Sequence, residues 1–377
     1  MKRKRALALL CAGLCLLIFG GVASAEVVGD EEIYRLADLS GNVITSRAER
    51  IYEGDEYIGG DNLLYRVRSV DDAMRVATAE CLGQDPDLVA PRSAETSAIF
   101  ANASPENVSR SEGGKGLICM YSTHSDESYV PSDGSSSEVE GAGIYDVGDT
   151  LKKNLAKRGW EVEYSKQTSL PHDAGAYRRS RQIAEDFVKR QPAVLLDLHR
   201  DGIPDPEEYE TKVDGEEMTK IRLFVGRSNP NSSVNRSLAK KIKAEADERY
   251  PNLIKDIFIG KGDYNQDLYP QSLLLELGTH TSEKPKVEKS TALIAEVLDN
   301  VLNASASADA RDAEHERQNR AAAPAILWLV GLSVLGALIY GLAATGTLKN
   351  WREKLSAGAS EISGGLAGKR RNDDAKK

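Results

Sequence analysis

Four short apolar runs constrain this chain more than any other feature: LICMYST (117–123), AVLLDL (193–198), IRLFVG (221–226) and SLLLEL (272–277). Each has the length of a strand buried on both faces and is too short to be a membrane span. Amphipathic stretches separate them. VGDTLKKNLAKRG places Val147, Leu151 and Leu155 on one helical face, with Gly159 as its stop. A second helix is predicted from about Ala176 to Arg190, a third over SVNRSLAKKIKAEADERY and a closing one over VEKSTALIAEVLDNVL; WEVEYS reads as a further strand. Alternation of this kind predicts a three-layer α/β body over 116–303, a mostly parallel sheet covered by helices on both faces. Sites in such sheets gather at the carboxyl ends of the strands.

Two of the runs end on histidine, at His124 and His199. Imidazoles at two strand ends can converge on one point, and a carboxylate beside them points to a metal. Glu127 lies three residues after His124, within reach of the same ion, and Glu140, ahead of the next helix, is the rival third ligand. A catalytic zinc takes three protein ligands and keeps one position open. Glu276 is embedded in LLLEL, where an ionised carboxylate is costly to bury without a partner. Its position suits a general base whose pKa is raised by apolar neighbours. Asp201 follows the second histidine closely and either orients an imidazole or caps a loop. Tyr264, Asn265, Gln266 and Asp267 form a polar cluster that contacts substrate or shapes the site. His172, in a loop after a proline, and His315 have no evident role, and His280 stands just past the last strand.

The flanks read differently. Residues 26–90 carry short apolar runs broken by Gly-Asp and Gly-Gly pairs, a small β-rich unit with no cluster that suggests chemistry. Residues 91–115 form a Ser/Asn/Ala-rich linker. MKRKR followed by an apolar stretch ending Ala23-Ser24-Ala25 makes 1–25 a signal peptide or anchor. The uncharged segment within 323–345 has the length of a transmembrane helix, joined to the body by a spacer (304–322) and followed by a basic tail (346–377) that the positive-inside rule assigns to the cytoplasm. Both signals place the body outside the cell membrane. A net charge of -9 and 6% aromatic residues exclude a nucleic-acid binder. With no CxxC pair a cysteine-built zinc ribbon is excluded, and Cys119 reads as a small buried hydrophobe.

The blocks THSDESY, LDLHRDG and YNQDLYPQSLLLELG, with AYRRSR and FVGRSNPN between them, resemble the stage II sporulation protein P family over about Gly116 to Leu302. That resemblance implies a zinc-dependent N-acetylmuramoyl-L-alanine amidase of the phosphorylase/hydrolase-like α/β fold. It also implies endopeptidase activity, a peptidoglycan substrate, a role in forespore engulfment and the stage II sporulation proteins D and M as partners. His124 and His199 become Zn2+ ligands and Glu276 the catalytic glutamate. The third ligand is Glu140 by likeness to general amidases and Glu127 by the family block, which favours Glu127. Ser122 departs from the family's frequent His-Thr-His, and a carboxyl-terminal membrane helix is not typical of it. On chemistry alone, a zinc carboxypeptidase-like peptidase and a non-catalytic wall-binding scaffold are the alternatives.

Overall fold

The computed structural model describes residues 33–89, 115–173 and 175–304, with scattered helical residues between 332 and 343. The chain divides into two compact units, Met1–Asp309 and Ala310–Lys377. Segments 1–25, 91–115, 304–322 and 346–377 lie outside the described residues except for Lys115 and Ala304, and most of 323–345 does too. Among the described residues no helix is long and apolar enough to cross a membrane.

The first unit is built on one 11-stranded sheet in the order β2 (Val43–Arg47), β1 (Tyr34–Asp38), β5 (Val76–Gln84), β4 (Leu63–Asp71), β3 (Glu56–Ile58), β12 (Ile254–Gly260), β11 (Ile221–Gly226), β13 (Ser272–Thr279), β8 (Val194–Asp201), β6 (Leu117–Tyr121), β7 (Glu161–Tyr164). Its inner strands are β6, β8, β11, β12 and β13, with β7 at one edge. The apolar runs alternate in where their side chains go. Leu196 and Leu198, Leu223 and Val225, Ile257 and Ile259, and Leu275 and Leu277 share one buried cluster. Three helices close that cluster: α1 (Gly143–Lys157), α2 (Ser232–Arg249) and α3 (284–304). Their Leu151, Ile242 and Leu298 belong to it. The intervening residues point to the other face because successive strand side chains alternate. There Phe224, Phe258 and Leu274 share a second cluster with Leu36, Ile51, Tyr57 and Val67 from the amino-terminal segment. Leu195, Cys119 and Tyr121 pack with Ile183 of α4 (Ala176–Val188). The sheet therefore carries three helices on one face and, on the other, α4 and packed side chains from the amino-terminal segment.

The sheet as a whole is mixed, although within the body over 116–303 four of its five strand pairings are parallel, as expected. β6, β7, β8 and β13 run parallel, but β11 is antiparallel to β13, and β12 follows β11. Parallel pairing demands a long crossover, generally a helix. None connects β8 to β11: a hairpin, β9 (Glu210–Val213) and β10 (Glu216–Thr219), stands there instead. Asp214 (φ 52°) and Gly215 (φ 83°) form its turn, both in the left-handed region, as the favoured two-residue hairpin turn requires.

The β-rich amino-terminal segment is not set apart. Its strands β1 (Tyr34–Asp38), β2 (Val43–Arg47), β3 (Glu56–Ile58), β4 (Leu63–Asp71) and β5 (Val76–Gln84) continue the same sheet through antiparallel pairing of β3 with β12. Ion pairs fasten this segment to α2, with Lys240 on Asp85 at 2.7 Å and on Asp87 at 2.7 Å.

Candidate active site

Strand register assembles the site. His199 on β8 is paired with Glu276 on β13, Glu276 with Arg222 on β11, and Arg222 with Asp256 on β12. All four occupy the face opposite the helices, so a charged row crosses the sheet beside the carboxyl end of β8.

At one end of the row stand His124, Glu127 and His199. Glu127 Oε1 lies 3.2 Å from His124 Nδ1 and 3.3 Å from His199 Nδ1. One ligand atom from each of the three residues falls within 4.8 Å of the others. The loop after β6 is shaped to permit this. Thr123 donates its backbone N–H to Asp197 Oδ1 (2.9 Å) and its hydroxyl to Oδ2 (2.7 Å), which fixes the residue before His124. The Ile144 N–H donates to the Glu127 carbonyl (3.0 Å), and the Arg200 N–H donates to Glu127 Oε2 (2.8 Å). Burial alone would raise the Glu127 pKa, but His199, His124 and Arg200 hold it well below the usual carboxylate range. Burial lowers that of His124. For His199 burial pulls down, and the Asp197 and Glu127 carboxylates outweigh it, raising the pKa well above the ordinary value.

Two imidazoles and one ionised carboxylate, converging and nearly enclosed, are the donor set of a catalytic zinc site with three protein ligands. His199 Nε2 faces Asp197 Oδ1 at 3.1 Å as an ion-pair contact, outside hydrogen-bond geometry. The residues fit the metal. Glu140 is exposed on the loop ahead of α1 and stands outside this group.

Glu276 sits in the middle of the row. The Tyr209 hydroxyl lies 2.8 Å from Asp201 Oδ2 and 3.0 Å from Glu276 Oε2, and Arg222 Nη1 lies 3.0 and 3.5 Å from the same two oxygens. Arg222 also donates through Nε to Asp256 Oδ1 (2.7 Å). Burial, reinforced by the Asp201 charge, pushes the Glu276 carboxyl up to about 8, against the pull of Arg222 and Arg47.

Asp201 caps the turn after β8, accepting from the Gly202 (2.7 Å) and Ile203 (3.3 Å) N–H groups through Oδ1, while Oδ2 faces Tyr209 and Arg222. Asp197 is the carboxylate beside the imidazole. Asn265 and Gln266 are buried. Asn265 donates to the Tyr177 carbonyl (3.1 Å) and to Ser180 Oγ (3.0 Å). Gln266 accepts from the Gly226 N–H (2.8 Å) and donates to the Phe224 carbonyl (2.9 Å), capping β11.

Sequence reasoning missed several residues. His172 stacks on His124 with ring centroids 4.0 Å apart, and its Nδ1 is 3.0 Å from Asp126 Oδ1. Burial opposes protonation of His172, yet Asp126 and Glu127 raise its pKa. Tyr177 stacks parallel to His199 (6.2 Å) and stands edge-on to Tyr264 (5.2 Å), so an aromatic wall runs from the His124/Glu127/His199 group toward Arg47. Tyr209 and the Asp214-Gly215 hairpin that follows it also went unread, although Asp-Gly between two polar-apolar runs is a hairpin signal.

A family model described as stage II sporulation protein P (SpoIIP) matches residues 69–299. The stage II sporulation protein P of Bacillus subtilis (strain 168) is 24% identical over 236 residues, 58% of this chain and 59% of that protein. The match thus spans under two thirds of the relative's length. Among solved structures, the CwlD amidase from Clostridioides difficile in complex with the GerS lipoprotein is 14% identical, covering 51% of this chain and 98% of that one at a TM-score of 0.35. The N-acetylmuramyl-L-alanine amidase Ami1 from Mycobacterium smegmatis is 12% identical over 51% of this chain and 99% of that one, again at 0.35. These structural likenesses are too distant to assign any residue a role. The sequence match is sufficient for the family: the chain belongs to the stage II sporulation protein P family.

Proposed function

We propose that this protein is a zinc-dependent peptidoglycan hydrolase, an N-acetylmuramoyl-L-alanine amidase that also cleaves peptide cross-links, acting in sporulation. The observation that carries this reading is the grouping of His124, Glu127 and His199 beside Glu276, whose side chain is 13% exposed and which is in register with His199. Family membership supports the sporulation setting. His124, Glu127 and His199 hold the ion, which when bound supplies Lewis acidity toward water and the scissile carbonyl. Glu276 takes a proton from the attacking water and returns it to the leaving amide nitrogen. Tyr209 and Arg222 hold its carboxylate at Oε2, which leaves Oε1 for this exchange. The half-buried rings of Tyr177 and Tyr264 flank the site and offer a surface for the glycan or lactyl group.

The sequence features of 1–25 and 323–377 support an anchored body outside the cytoplasm, and the stage II sporulation proteins D and M as partners rest on family resemblance alone. Zinc content tests the core of the reading. The full chain is expected to hold one zinc and lose hydrolysis on chelation, regaining it with added zinc. Full activity after exhaustive metal removal would rule the reading out.

A further inference from the structure

Behind Glu276 the charged row ends on the amino-terminal segment, outside the residues that match the family. Thr45, in the middle of β2, is 2% exposed. Its Oγ1 accepts from Arg222 Nη2 (2.9 Å) and from Lys255 Nζ (2.7 Å), and donates to Glu208 Oε2 (3.0 Å). One hydroxyl thus meets two buried cations and one carboxylate, which uses its full capacity of two acceptor lone pairs and one donor. Its neighbour Ser46 repeats the pattern from the backbone: the N–H donates to Glu208 Oε2 (3.3 Å) and the carbonyl accepts from Arg222 Nη2 (3.2 Å).

Both groups that touch Glu276 Oε2 depend on this point. Arg222 is one, and Thr45 anchors the outer nitrogen of its guanidinium. Tyr209 is the other; it follows Glu208 directly, and Lys255 Nζ stands 4.9 Å over its ring. We propose that Thr45 is a positioning residue for Glu276, joining the amino-terminal strands to the reacting centre through Arg222 on one side and Glu208–Tyr209 on the other. The inference rests on Glu276 as the proton carrier. Its consequence is that β2, although it precedes the family-matched region, is part of the catalytic body.

The test compares Thr45→Ser, Thr45→Cys and Thr45→Val in the zinc-loaded full chain. Hydrolysis is followed as new amino groups released from peptidoglycan, which counts amidase and endopeptidase cleavage alike. Serine keeps the hydroxyl, whereas cysteine has the same shape with a sulfur that is a weak hydrogen-bonding partner. Thr45→Ser is expected to keep the wild-type kcat. Thr45→Cys and Thr45→Val are expected to lose about tenfold or more in kcat, the scale set by small misplacements of a reacting group, with KM and zinc content unchanged. Wild-type kcat in the Cys and Val variants, or equal impairment in the Ser variant, would overturn the proposal. Crystal structures of the Cys and Val variants provide a readout that needs no turnover. Glu276 and Arg222 are expected to shift relative to Tyr209, and unmoved side chains would overturn the inference. An inactive wild-type chain would count against the hydrolase reading alone, leaving the crystallographic comparison to decide this one.

Discussion

His199 and Glu276 stand opposite each other on adjacent parallel strands, in register and on the same face of the sheet. An imidazole of the His124/Glu127/His199 group and a largely buried carboxyl are therefore held side by side by two backbones rather than by loops. Their spacing is fixed by strand pairing, which is among the stiffest devices available for positioning reacting groups.

Asp197 stands two residues before His199, on the same face, and also clamps Thr123 ahead of His124. Replacing it with Asn keeps the size but removes the charge that supports the imidazole. Carboxylates in this supporting position typically carry a 10–100-fold effect on metal affinity, so Asp197→Asn is expected to weaken zinc by about that factor. Competition with a chromogenic chelator measures it, and unchanged affinity would show that Asp197 serves only the loop.

Glu276 should make metal-free stability depend on pH. Its folded pKa of about 8 lies above the value near 4.3 expected in the unfolded chain. Between those values the native state binds the extra proton, so this contribution is full at low pH and is lost as pH rises through about 8. Urea unfolding from pH 5 to 9 is expected to show the wild type weakening relative to Glu276→Gln as pH increases. Parallel curves for the two proteins would contradict the assignment.

His172 titrates in the opposite chemical sense but with the same linkage. Partial desolvation pulls its pKa down, and Asp126 outweighs this and raises it above the ordinary value. Its contribution to stability is therefore present below the unfolded pKa and disappears as pH rises through the folded one. Asp126→Asn is expected to lower the His172 pKa in an NMR titration of the metal-free protein. No change would mean that the carboxylate does not set it.

Arg222 is fully buried and contacts three carboxyl groups, Asp201, Asp256 and Glu276. Removing one member of a buried charge network leaves the others uncompensated, so Arg222→Met is expected to destabilise the fold by about 3–5 kcal/mol in denaturant unfolding. A loss below about 1 kcal/mol, the scale of an exposed ion pair, would indicate that water replaces the guanidinium.

Several parts of this arrangement were legible in the sequence. His124 and His199 were visible because each ends a run whose length and apolarity identify a buried strand. Glu276 was visible because a carboxylate inside LLLEL needs a reason to be there. Glu127 stood at a spacing that reaches its histidine, although spacing alone could not separate it from Glu140. Asp197 was available to the same logic, two residues before His199 on the same strand face, and was passed over.

Other parts had no local signal. His172 reaches His124 through a loop, and nothing in Pro171-His172-Asp173 encodes that stacking. Thr45 meets Arg222 across 177 residues of chain. The amino-terminal strands read as a separate unit because their pairing with β12 is a tertiary event. The direction of β11 was misread because a hairpin, rather than a crossover helix, precedes it.

Product analysis of digested peptidoglycan tests the central claim most directly. The zinc-loaded chain is expected to release stem peptides with free amino-terminal L-alanine and to leave glycan strands bearing lactyl carboxylates, and Glu276→Gln is expected to retain zinc and release neither. Intact lactyl–alanine bonds in all products, or full release by the zinc-loaded Glu276→Gln protein, would contradict it.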